Sequence, residues 1–366
     1  MWNFVYLASF LLSLVLSLLL TPLFRKVALA NGIVDYPAAR KVHQVPTPLL
    51  GGAGLLFAFL TTILLGFAFI AFFRSLLPQG ITENLPGAFN TFPRLLIIIA
   101  GGVFIFLLGL VDDLIGLKAG WKLLGQGLIA LLLFFWGLRI SLFVPNILFS
   151  IFLTLGWFLL ITNSFNLLDN MDGLAAGVGL ISTFLFFLYA VGAGSLFIAT
   201  LLAVFAGAVL GFLRYNFPPA NPDRNKVSNG AKIFLGEAGS TFIGYFLAVI
   251  SVTATFYYQK APSYLPVLAP IFILAIPLFD TFSVMVIRFR EGRSVFTPGK
   301  DHLSHRLLKF GLTKRESVIV IYFLSLGLGL PALVLEKIPL TGGLILLFQA
   351  LLFLGILTIL EKKNIS

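Results

Sequence analysis

Residues 95–113 read LLIIIAGGVFIFLLGLVDD, an uninterrupted apolar run that ends in two adjacent aspartates. As a helix, this run is long enough to cross a hydrocarbon core about 30 Å thick. Similar runs recur along the 366-residue chain, which is 59% hydrophobic and 11% charged. The sequence therefore predicts an all-α polytopic membrane protein. The carboxylates of Asp112 and Asp113 are expected at the water-facing end of a span, because a charge inside hydrocarbon is costly.

We predict about eleven transmembrane helices and a single integral membrane domain over residues 1–366. The helices are expected near 3–24, 51–73, 95–111, 122–138, 147–168, 174–191, 195–213, 240–258, 264–287, 317–335 and 340–360. The polar loops expected to carry the chemistry fall at about 25–50, 112–121, 169–173, 214–239 and 288–316.

The distribution of charge predicts the orientation. Of the 25 Lys and Arg residues, all but five fall in the odd-numbered loops and the C-terminal tail. Positively charged loops stay cytoplasmic, so we expect the N-terminus outside and the C-terminus in the cytoplasm. The same assignment leaves only Glu83 and Glu336, of 14 acidic residues, on the outer side. The acids thus face one compartment, which favours an enzyme over a pore.

The net charge of +11 fits this topology and an anionic membrane surface. The basic loops lack interleaved aromatic residues, so no nucleic-acid partner is expected. The chain has no cysteine, which excludes a thiolate metal site and a cysteine nucleophile.

Asp112 and Asp113 repel one another unless one is protonated or a cation holds both. A hard divalent ion such as Mg²⁺ would resolve the conflict, because it takes carboxylate oxygens and leaves positions for a phosphate. A solvated acidic helix end explains the pair about equally well.

A second polar cluster, NSFNLLDNMDG at 163–173, closes the fifth predicted span. Asn166, Asp169 and Asp172 recur at three-residue intervals, so a continuing helix would place neighbours in this series on overlapping faces. Such a group suits a metal, a nucleobase or a ribose. An Asn/Asp-rich helix cap is the alternative, although caps use one or two such residues.

Residues 301–310 predict a short amphipathic helix with His302, His305, Arg306 and Lys309 on its basic face. We expect this helix at the membrane interface, with that face turned to a phosphate or to lipid headgroups. Asp280 lies inside a predicted span, and Arg288 is its expected partner in a buried structural pair. Gly207 and Gly211 form a small-xxx-small pair that predicts close helix packing.

The segment FLGEAGST at 234–241 places one acid, Glu237, among small residues at the start of a predicted span. Free N–H groups at a helix start suit a phosphate, but the Gly-Lys-Ser/Thr ending of a Walker loop is absent. By itself this segment is weak evidence for a phosphate site.

Together these segments resemble the polyprenyl-phosphate N-acetylhexosamine-1-phosphate transferases, which include the WecA-type enzymes and the phospho-N-acetylmuramoyl-pentapeptide transferase. The resemblance adds a first-loop motif, Asp35-x-Pro37-x-x-Arg40-Lys41-x-His43. It covers most of the chain, and the motifs occur in the family's order.

The resemblance implies transfer of N-acetylhexosamine 1-phosphate, with GlcNAc-1-phosphate as first choice, from a UDP-sugar to polyprenyl (undecaprenyl) phosphate. UMP is released, and the product is the first lipid-linked intermediate of a cell-envelope polysaccharide. It further implies Mg²⁺ as cofactor, with Mn²⁺ as the alternative, and a multi-pass protein of the cytoplasmic (inner) membrane of a bacterium. The active site would face the cytoplasm, and a homodimer is compatible with a membrane enzyme of this size.

The resemblance also implies roles for individual residues. The expected catalytic residues are Asp112, Asp113, Asp169 and Asp172, and the expected metal ligands are Asp113, Glu237 and Asp112. The expected substrate-binding residues are Arg40, Lys41, His43, Lys118, Lys122, Asn163, Asn166, His302, His305 and Arg306.

Three features depart from the family pattern. First, Glu237 replaces the usual Asp. Second, the His-rich loop has Ser304 where relatives have a middle His, and Gly299-Lys300 where many have Asp-Arg. Third, about eleven residues near 221–231 are inserted. A secondary transporter or lipid flippase is the alternative function. It predicts ionisable groups and discontinuous helices at the midplane, where this chain offers little beyond Asp280.

Overall fold

The computed structural model describes residues 1–36, 45–142, 144–217, 230–253, 264–295 and 299–363. Within these ranges nearly all regular structure is helical. The strands are two-residue segments, β1 (Val34–Asp35) and β2 (Thr47–Pro48), which pair antiparallel. The α-helices are α1 (Trp2–Ala30), α2 (Gly51–Phe73), α3 (Gln79–Thr82), α4 (Leu85–Ile115), α5 (Ala119–Phe135), α6 (Ile147–Leu168), α7 (Leu174–Gly192), α8 (Leu196–Asn216), α9 (Gly236–Thr253), α10 (Ala269–Ile273), α11 (Ala275–Arg290), α12 (Leu303–Lys309), α13 (Lys314–Gly329) and α14 (Leu340–Lys363).

The apolar helices confirm a polytopic membrane protein. In the described ranges, eight helices are long and apolar enough to cross a membrane, or nine if α10 and α11 form one broken span. Helices α5 and α9 occupy the two remaining predicted positions, and α5 is the shorter, with 17 residues. The number of eleven spans and the orientation of the termini stay predictions.

The predicted span at 264–287 is not one straight helix. A 3₁₀ turn (Leu265–Leu268) and α10 precede α11, and the axis bends by 71° between Ile273 and Ala275. Pro277 explains the break, because it has no N–H to bond the carbonyl of Ile273 and its ring clashes with that carbonyl.

The chain packs as two compact units, Met1–Thr253 and Ala254–Ser366. In the first unit, α8 packs closely on α1. A Cβ on Gly211 would lie 2.5 Å from the Cβ of Ser17, and the Ser17 hydroxyl donates to the Ala208 carbonyl at 2.7 Å. Gly207 faces the Phe10 carbonyl in the same way, which confirms the predicted close packing. The expectation of a single functional domain is not tested by this division.

Close backbone contacts bring the ends of α2, α4 and α9 together. The N–H groups of Gly51 and Gly52 donate to the carbonyls of Phe234 and Leu235, each at 3.0 Å. A Cβ on Gly109 would lie 2.5 Å from the Cα of Ala238. Only glycine permits backbones this near. The end of α4, which carries the aspartate pair, is therefore fixed beside the start of α9.

Candidate active site

Asp112 lies at the end of α4 and is 8% exposed. Its Oδ1 accepts from the backbone N–H of Leu117, and its Oδ2 accepts from Lys122 Nζ, each at 2.6 Å. Gly116 ends α4 in a left-handed conformation (φ 68°), which turns the chain so that Leu117 and α5 come back to the aspartate. The loop after α4 is thus folded around the Asp112 carboxylate.

Asp113 caps helix α9. Its two oxygens accept from the backbone N–H groups of Glu237 and Ala238, at 2.9 and 3.1 Å. These N–H groups have no partner within their own helix, and a carboxylate is favoured at a helix N-terminus. Gly236 begins α9 with φ 76°, and a Cβ there would lie 2.7 Å from Asp113 Oδ2. Asp113 therefore orients the segment that carries Glu237, a role that the sequence did not reveal.

Glu237 meets a lysine and an amide. Its Oε2 accepts from Asn166 Nδ2 at 2.6 Å and from Lys122 Nζ at 3.3 Å. Asn166 also donates to the Ser240 hydroxyl at 3.1 Å. Lys122 thus bridges Asp112 and Glu237, so the structure brings together predicted residues from α4, α5, α6 and α9.

Asp169 and Asp172 lie in the turn between α6 and α7. The expected continuing helix is absent here, because α6 ends at Leu168 and Gly173 is left-handed (φ 80°). Asp172 Oδ2 accepts from the Ala231 N–H at 2.9 Å. Asn216, which the sequence analysis missed, is buried and fixes this turn by accepting from the Gly173 N–H at 2.8 Å.

The surroundings of Asp169 are strongly acidic. Burial raises its pKa well above the usual range, and the nearby charges of Glu237, Asp172 and Asp113 raise it further. Within the described ranges no hydrogen bond reaches its carboxylate. The Asp169 carboxyl group therefore lies near three other acidic groups, and its ionised form is disfavoured unless a cation is close by.

Asn163 pairs with a residue that sequence reasoning missed. Its amide donates to Gln126 Oε1 at 2.6 Å and to the Leu159 carbonyl at 2.8 Å. Gln126 lies one turn after Lys122 on α5, a polar position in an apolar helix that could have signalled the site.

Lys118 is exposed before α5 and forms no ion pair with another described residue. The predicted ligands Arg40, Lys41 and His43 lie outside the described residues.

The donors of this cluster are carboxylate and amide oxygens, the chemistry that Mg²⁺ prefers. Among the described residues, no three His, Asp or Glu side chains are already grouped as a metal site. Mg²⁺ is commonly held by only one or two carboxylates, with phosphate oxygens and waters completing its shell. The side chains therefore fit a cation that is bound jointly with a phosphate ligand.

The second unit carries the predicted histidines. Asp280, 1% exposed, accepts from the Leu303 N–H at 2.6 Å and contacts His302 Nδ1 at 2.8 Å. The expected Asp280–Arg288 pair is wrong. Arg288 instead donates to the Asp301 carboxylate at 3.2 Å and to a backbone carbonyl. The cause is tertiary, because the chain returns after α11 and places α12 against Asp280.

The basic residues of α12 are not displayed at an interface as expected. His302, His305 and Arg306 are each no more than 9% exposed, whereas Lys309 is exposed. Burial, and then the charges of His302 and Lys300, lower the pKa of His305 to about 4. His305 is thus neutral near pH 7, while Arg306 donates to the Ser283 hydroxyl at 2.7 Å.

The fold and this cluster define a class of polytopic membrane proteins with an acidic, polar site at the ends of its spans. Residues 95–255 match the family described as "Glycosyl transferase family 4". The probable undecaprenyl-phosphate N-acetylglucosaminyl 1-phosphate transferase of Bacillus subtilis (strain 168) is 32% identical over 95% of this chain and 90% of its own length.

Two further relatives are similar over most of the chain. The decaprenyl-phosphate N-acetylglucosaminephosphotransferase of Mycolicibacterium smegmatis is 34% identical over 81% of this chain and 74% of its own. The undecaprenyl-phosphate alpha-N-acetylglucosaminyl 1-phosphate transferase of Salmonella typhi is 30% identical over 82% and 75%. The chain therefore belongs to the family of WecA-type polyprenyl-phosphate N-acetylglucosamine-1-phosphate transferases, as its motifs predicted.

Proposed function

We propose that this protein transfers N-acetylglucosamine 1-phosphate from UDP-N-acetylglucosamine to undecaprenyl phosphate. The reaction releases UMP and forms the first lipid-linked intermediate of a cell-envelope polysaccharide. The observation that carries this proposal is the meeting of Asp112, Lys122, Asn166 and Glu237 in one hydrogen-bonded cluster. The relatives named for this reaction support the choice of substrates.

The cluster suits a reaction between two polyanions. Transfer of a phosphoryl-linked sugar depends on alignment and charge neutralisation rather than on strong acids or bases. Lys122 is only partly exposed, and its ammonium group is held between two carboxylates. We assign this ammonium group to contact with the incoming phosphate.

We assign Asp112 the task of aligning the lipid phosphate through Lys122. The phosphate nucleophile is already anionic near neutral pH, so a general base contributes little. Asp113 acts through α9 by orienting Glu237, and Asp169 with Asp172 lines the nucleotide side of the cluster. The family resemblance assigns His302, His305 and Arg306 to the diphosphate or sugar, and Arg40, Lys41, Lys118 and Lys122 to the neighbourhood of the lipid phosphate.

A divalent cation belongs to this proposal, Mg²⁺ first and Mn²⁺ as the alternative. Asp169 and Glu237 would hold it jointly with substrate phosphate. When bound, the ion supplies charge neutralisation at the diphosphate. The closeness of Glu237, Asp172 and Asp113 to Asp169 supports a cation at this position.

We propose that the site lies at the cytoplasmic face of a bacterial inner membrane and that the chain crosses this membrane eleven times. We further propose a homodimer, which is compatible with a membrane enzyme of this size. The charge asymmetry of the loops supports this orientation. The chain has no cysteine, so single cysteines introduced at Asn31 and Glu336 can be labelled cleanly. A membrane-impermeant maleimide applied to spheroplasts should label position 336 and not 31. The reverse pattern would invert the topology.

The decisive test of function uses purified protein in nanodiscs with undecaprenyl phosphate. UMP release is followed with UDP-N-acetylglucosamine, UDP-N-acetylgalactosamine and UDP-N-acetylmuramoyl-pentapeptide, each with and without chelator. We expect turnover with the first donor, its loss with chelator and its recovery with Mg²⁺. Absence of UMP release with all three donors would contradict the proposed reaction, and turnover in chelator would contradict the cation.

The break between α10 and α11 is a feature that a transporter would share. Pro277 accounts for it locally, and both oxygens of the nearby Asp280 are used by protein groups. Assays of lipid or sugar flux in vesicles without chemical turnover would favour the transporter.

A further inference from the structure

Asp280 and His302 form a buried pair whose geometry is fixed from both sides. Asp280 Oδ2 lies 2.8 Å from His302 Nδ1, and Asp280 Oδ1 accepts from the backbone N–H of Leu303 at 2.6 Å. The carboxylate therefore has no freedom to rotate. It holds both the imidazole and the first residue of α12.

We propose that Asp280 is a positioning residue for the transferase. It holds His302 with Nδ1 turned inward and leaves Nε2 as the nitrogen that meets a phosphate-bearing substrate. This inference rests on the proposed function only for the identity of that substrate. The pairing itself is independent of turnover.

The chemistry of the pair selects one arrangement of protons. An ionised carboxylate only accepts hydrogen bonds, so the ring nitrogen facing it must carry a proton. When a partner fixes Nδ1–H, Nε2 becomes the outer nitrogen of the imidazole. It then accepts a proton in the neutral ring and donates one in the charged ring.

Charge balance supports the same conclusion. The Asp280 carboxylate is 1% exposed, and an unpaired carboxylate at this burial is strongly disfavoured. Arg306 Nη2 lies 4.0 Å from Asp280 Oδ1 but donates its short hydrogen bond to Ser283. His302 is therefore the closest side-chain partner of Asp280.

The two histidines of this segment are consequently not equivalent. Their ring centroids are 6.4 Å apart, and only His302 contacts Asp280. His305 is neutral at pH 7, whereas the ring of His302 is held by the Asp280 carboxylate. We assign the contact with phosphate to Nε2 of His302, and neutral hydrogen bonding to His305.

The chain contains three histidines, which makes a direct test practical. Protein labelled with ¹⁵N-histidine in nanodiscs gives three pairs of ring-nitrogen signals, and the variant His302→Gln identifies those of His302. We expect Nδ1 of His302 to be protonated in the wild type, and Nε2 to shift when UMP or UDP-N-acetylglucosamine is added. An unprotonated Nδ1 of His302 in the folded wild type would overturn the proposal, even if Asp280→Asn failed to fold.

Variants separate positioning from general stability. Asp280→Asn should release the fixed tautomer and lower kcat/KM about 10- to 100-fold, as expected for a supporting hydrogen-bond partner. Ser283→Ala, which removes a partner of Arg306 one turn along α11, should leave the His302 signals unchanged. If Ser283→Ala disturbs them as strongly as Asp280→Asn, the effect is structural and the proposal fails.

A double-mutant cycle completes the test. If Asp280 acts through His302, Asp280→Asn should cost little further activity in a His302→Ala background. Full additivity of the two losses would overturn the positioning role. Should the wild type show no turnover with any UDP-sugar, the proposed function fails while the nitrogen signals still decide the pairing.

Discussion

The backbone N–H of Glu237 donates to Asp113 Oδ1 at 2.9 Å, so the second aspartate of the Asp112–Asp113 pair caps α9. The two aspartates are adjacent in sequence but serve different partners. Asp112 bonds Lys122, whereas Asp113 bonds the helix that presents Glu237. This division makes their variants separable.

We predict that Asp112→Asn and Asp113→Asn each remove most turnover, for different reasons. Asp113→Ala should also lower the free energy of unfolding by about 0.5–2 kcal/mol, because α9 loses its cap. Asp112→Asn leaves that cap in place and is the matched control. Thermal unfolding and UMP release measure the two effects. Near-normal rates in either Asn variant would refute the assigned roles.

We predict that loss of Lys122 lowers activity more than loss of a lysine outside the cluster. Lys122→Met leaves Asp112 and Glu237 without their shared cation, so we expect a loss of at least tenfold in kcat/KM and a stronger dependence on Mg²⁺. Lys26→Met removes an exposed lysine of α1 and serves as the control for net charge. Equal effects of the two variants on UMP release would show that Lys122 has no local role.

Glu237 tests the departure from the family's usual aspartate. Its length allows Oε2 to reach Asn166 at 2.6 Å and Lys122 at 3.3 Å. Glu237→Asp should weaken both contacts and raise the Mg²⁺ concentration that gives half-maximal rate. Glu237→Gln keeps the length, loses the charge, and should reduce turnover further. An unchanged Mg²⁺ response in both variants would remove Glu237 from the proposed ligands.

The pKa of His305 predicts how stability depends on pH. Burial, together with the charges of His302 and Lys300, lowers this pKa from 6.5 to about 4. Between these values the unfolded chain binds a proton that the folded chain does not, so stability is complete above pH 6.5 and falls towards pH 4. His305→Gln should flatten that part of the stability profile. A thermal unfolding series from pH 4 to 7 decides the matter, since an equally steep loss in His305→Gln would exclude His305 as its source.

The low-pH limit of the same segment has another origin. Burial alone would raise the pKa of Asp301, but hydrogen bonds from Arg293 and Arg288 outweigh it and hold that pKa below 3.8. This group therefore contributes stability at pH values above 3.8 that is lost only under stronger acid. The two pH windows meet near pH 4, so the His305 prediction is judged on the difference between the wild type and His305→Gln, which share the Asp301 contacts.

Hydropathy was sufficient to predict the positions of the long helices, because a continuous run of about twenty apolar residues is typical of a helix that crosses a membrane. It could not predict the break at Leu274, since a proline near a helix start is as compatible with continuation as with a bend. The motifs identified the residues of the cluster formed by Asp112, Asn166 and Glu237. The motifs could not predict which residues contact one another. The cap that Asp113 provides for α9, for example, joins residues 124 positions apart in sequence.

The same limit explains the two wrong expectations for the second unit. Asp280 and Arg288 share a helix, so sequence proximity favoured their pairing. The actual partner of Asp280, His302, lies 22 positions away and is brought back by the loop that Arg288 and Asp301 fix. The basic face of α12 looked suited to an interface because its periodicity is amphipathic. Burial against Asp280 depends on tertiary structure that periodicity does not contain.

Gly236 provides the last prediction, because it combines two requirements for glycine at the centre of the cluster. Its φ is 76°, and a Cβ would lie 2.7 Å from Asp113 Oδ2 and 2.9 Å from the Leu49 carbonyl. Gly194, in the turn after α7, has φ 68°, and a Cβ there would meet no atom within 4 Å. Gly194→Ala therefore measures the conformational cost alone, which is about 1 kcal/mol.

Gly236→Ala should cost more than Gly194→Ala, because the methyl group must displace the carboxylate that caps α9. The excess should become smaller when Gly236→Ala is combined with Asp113→Ala, because only the close contact with the Leu49 carbonyl then remains. Thermal unfolding of the two single glycine variants, Asp113→Ala and the double variant gives the comparison. Equal destabilisation by the two glycine substitutions would mean that the contact between Gly236 and Asp113 is too loose to orient Glu237.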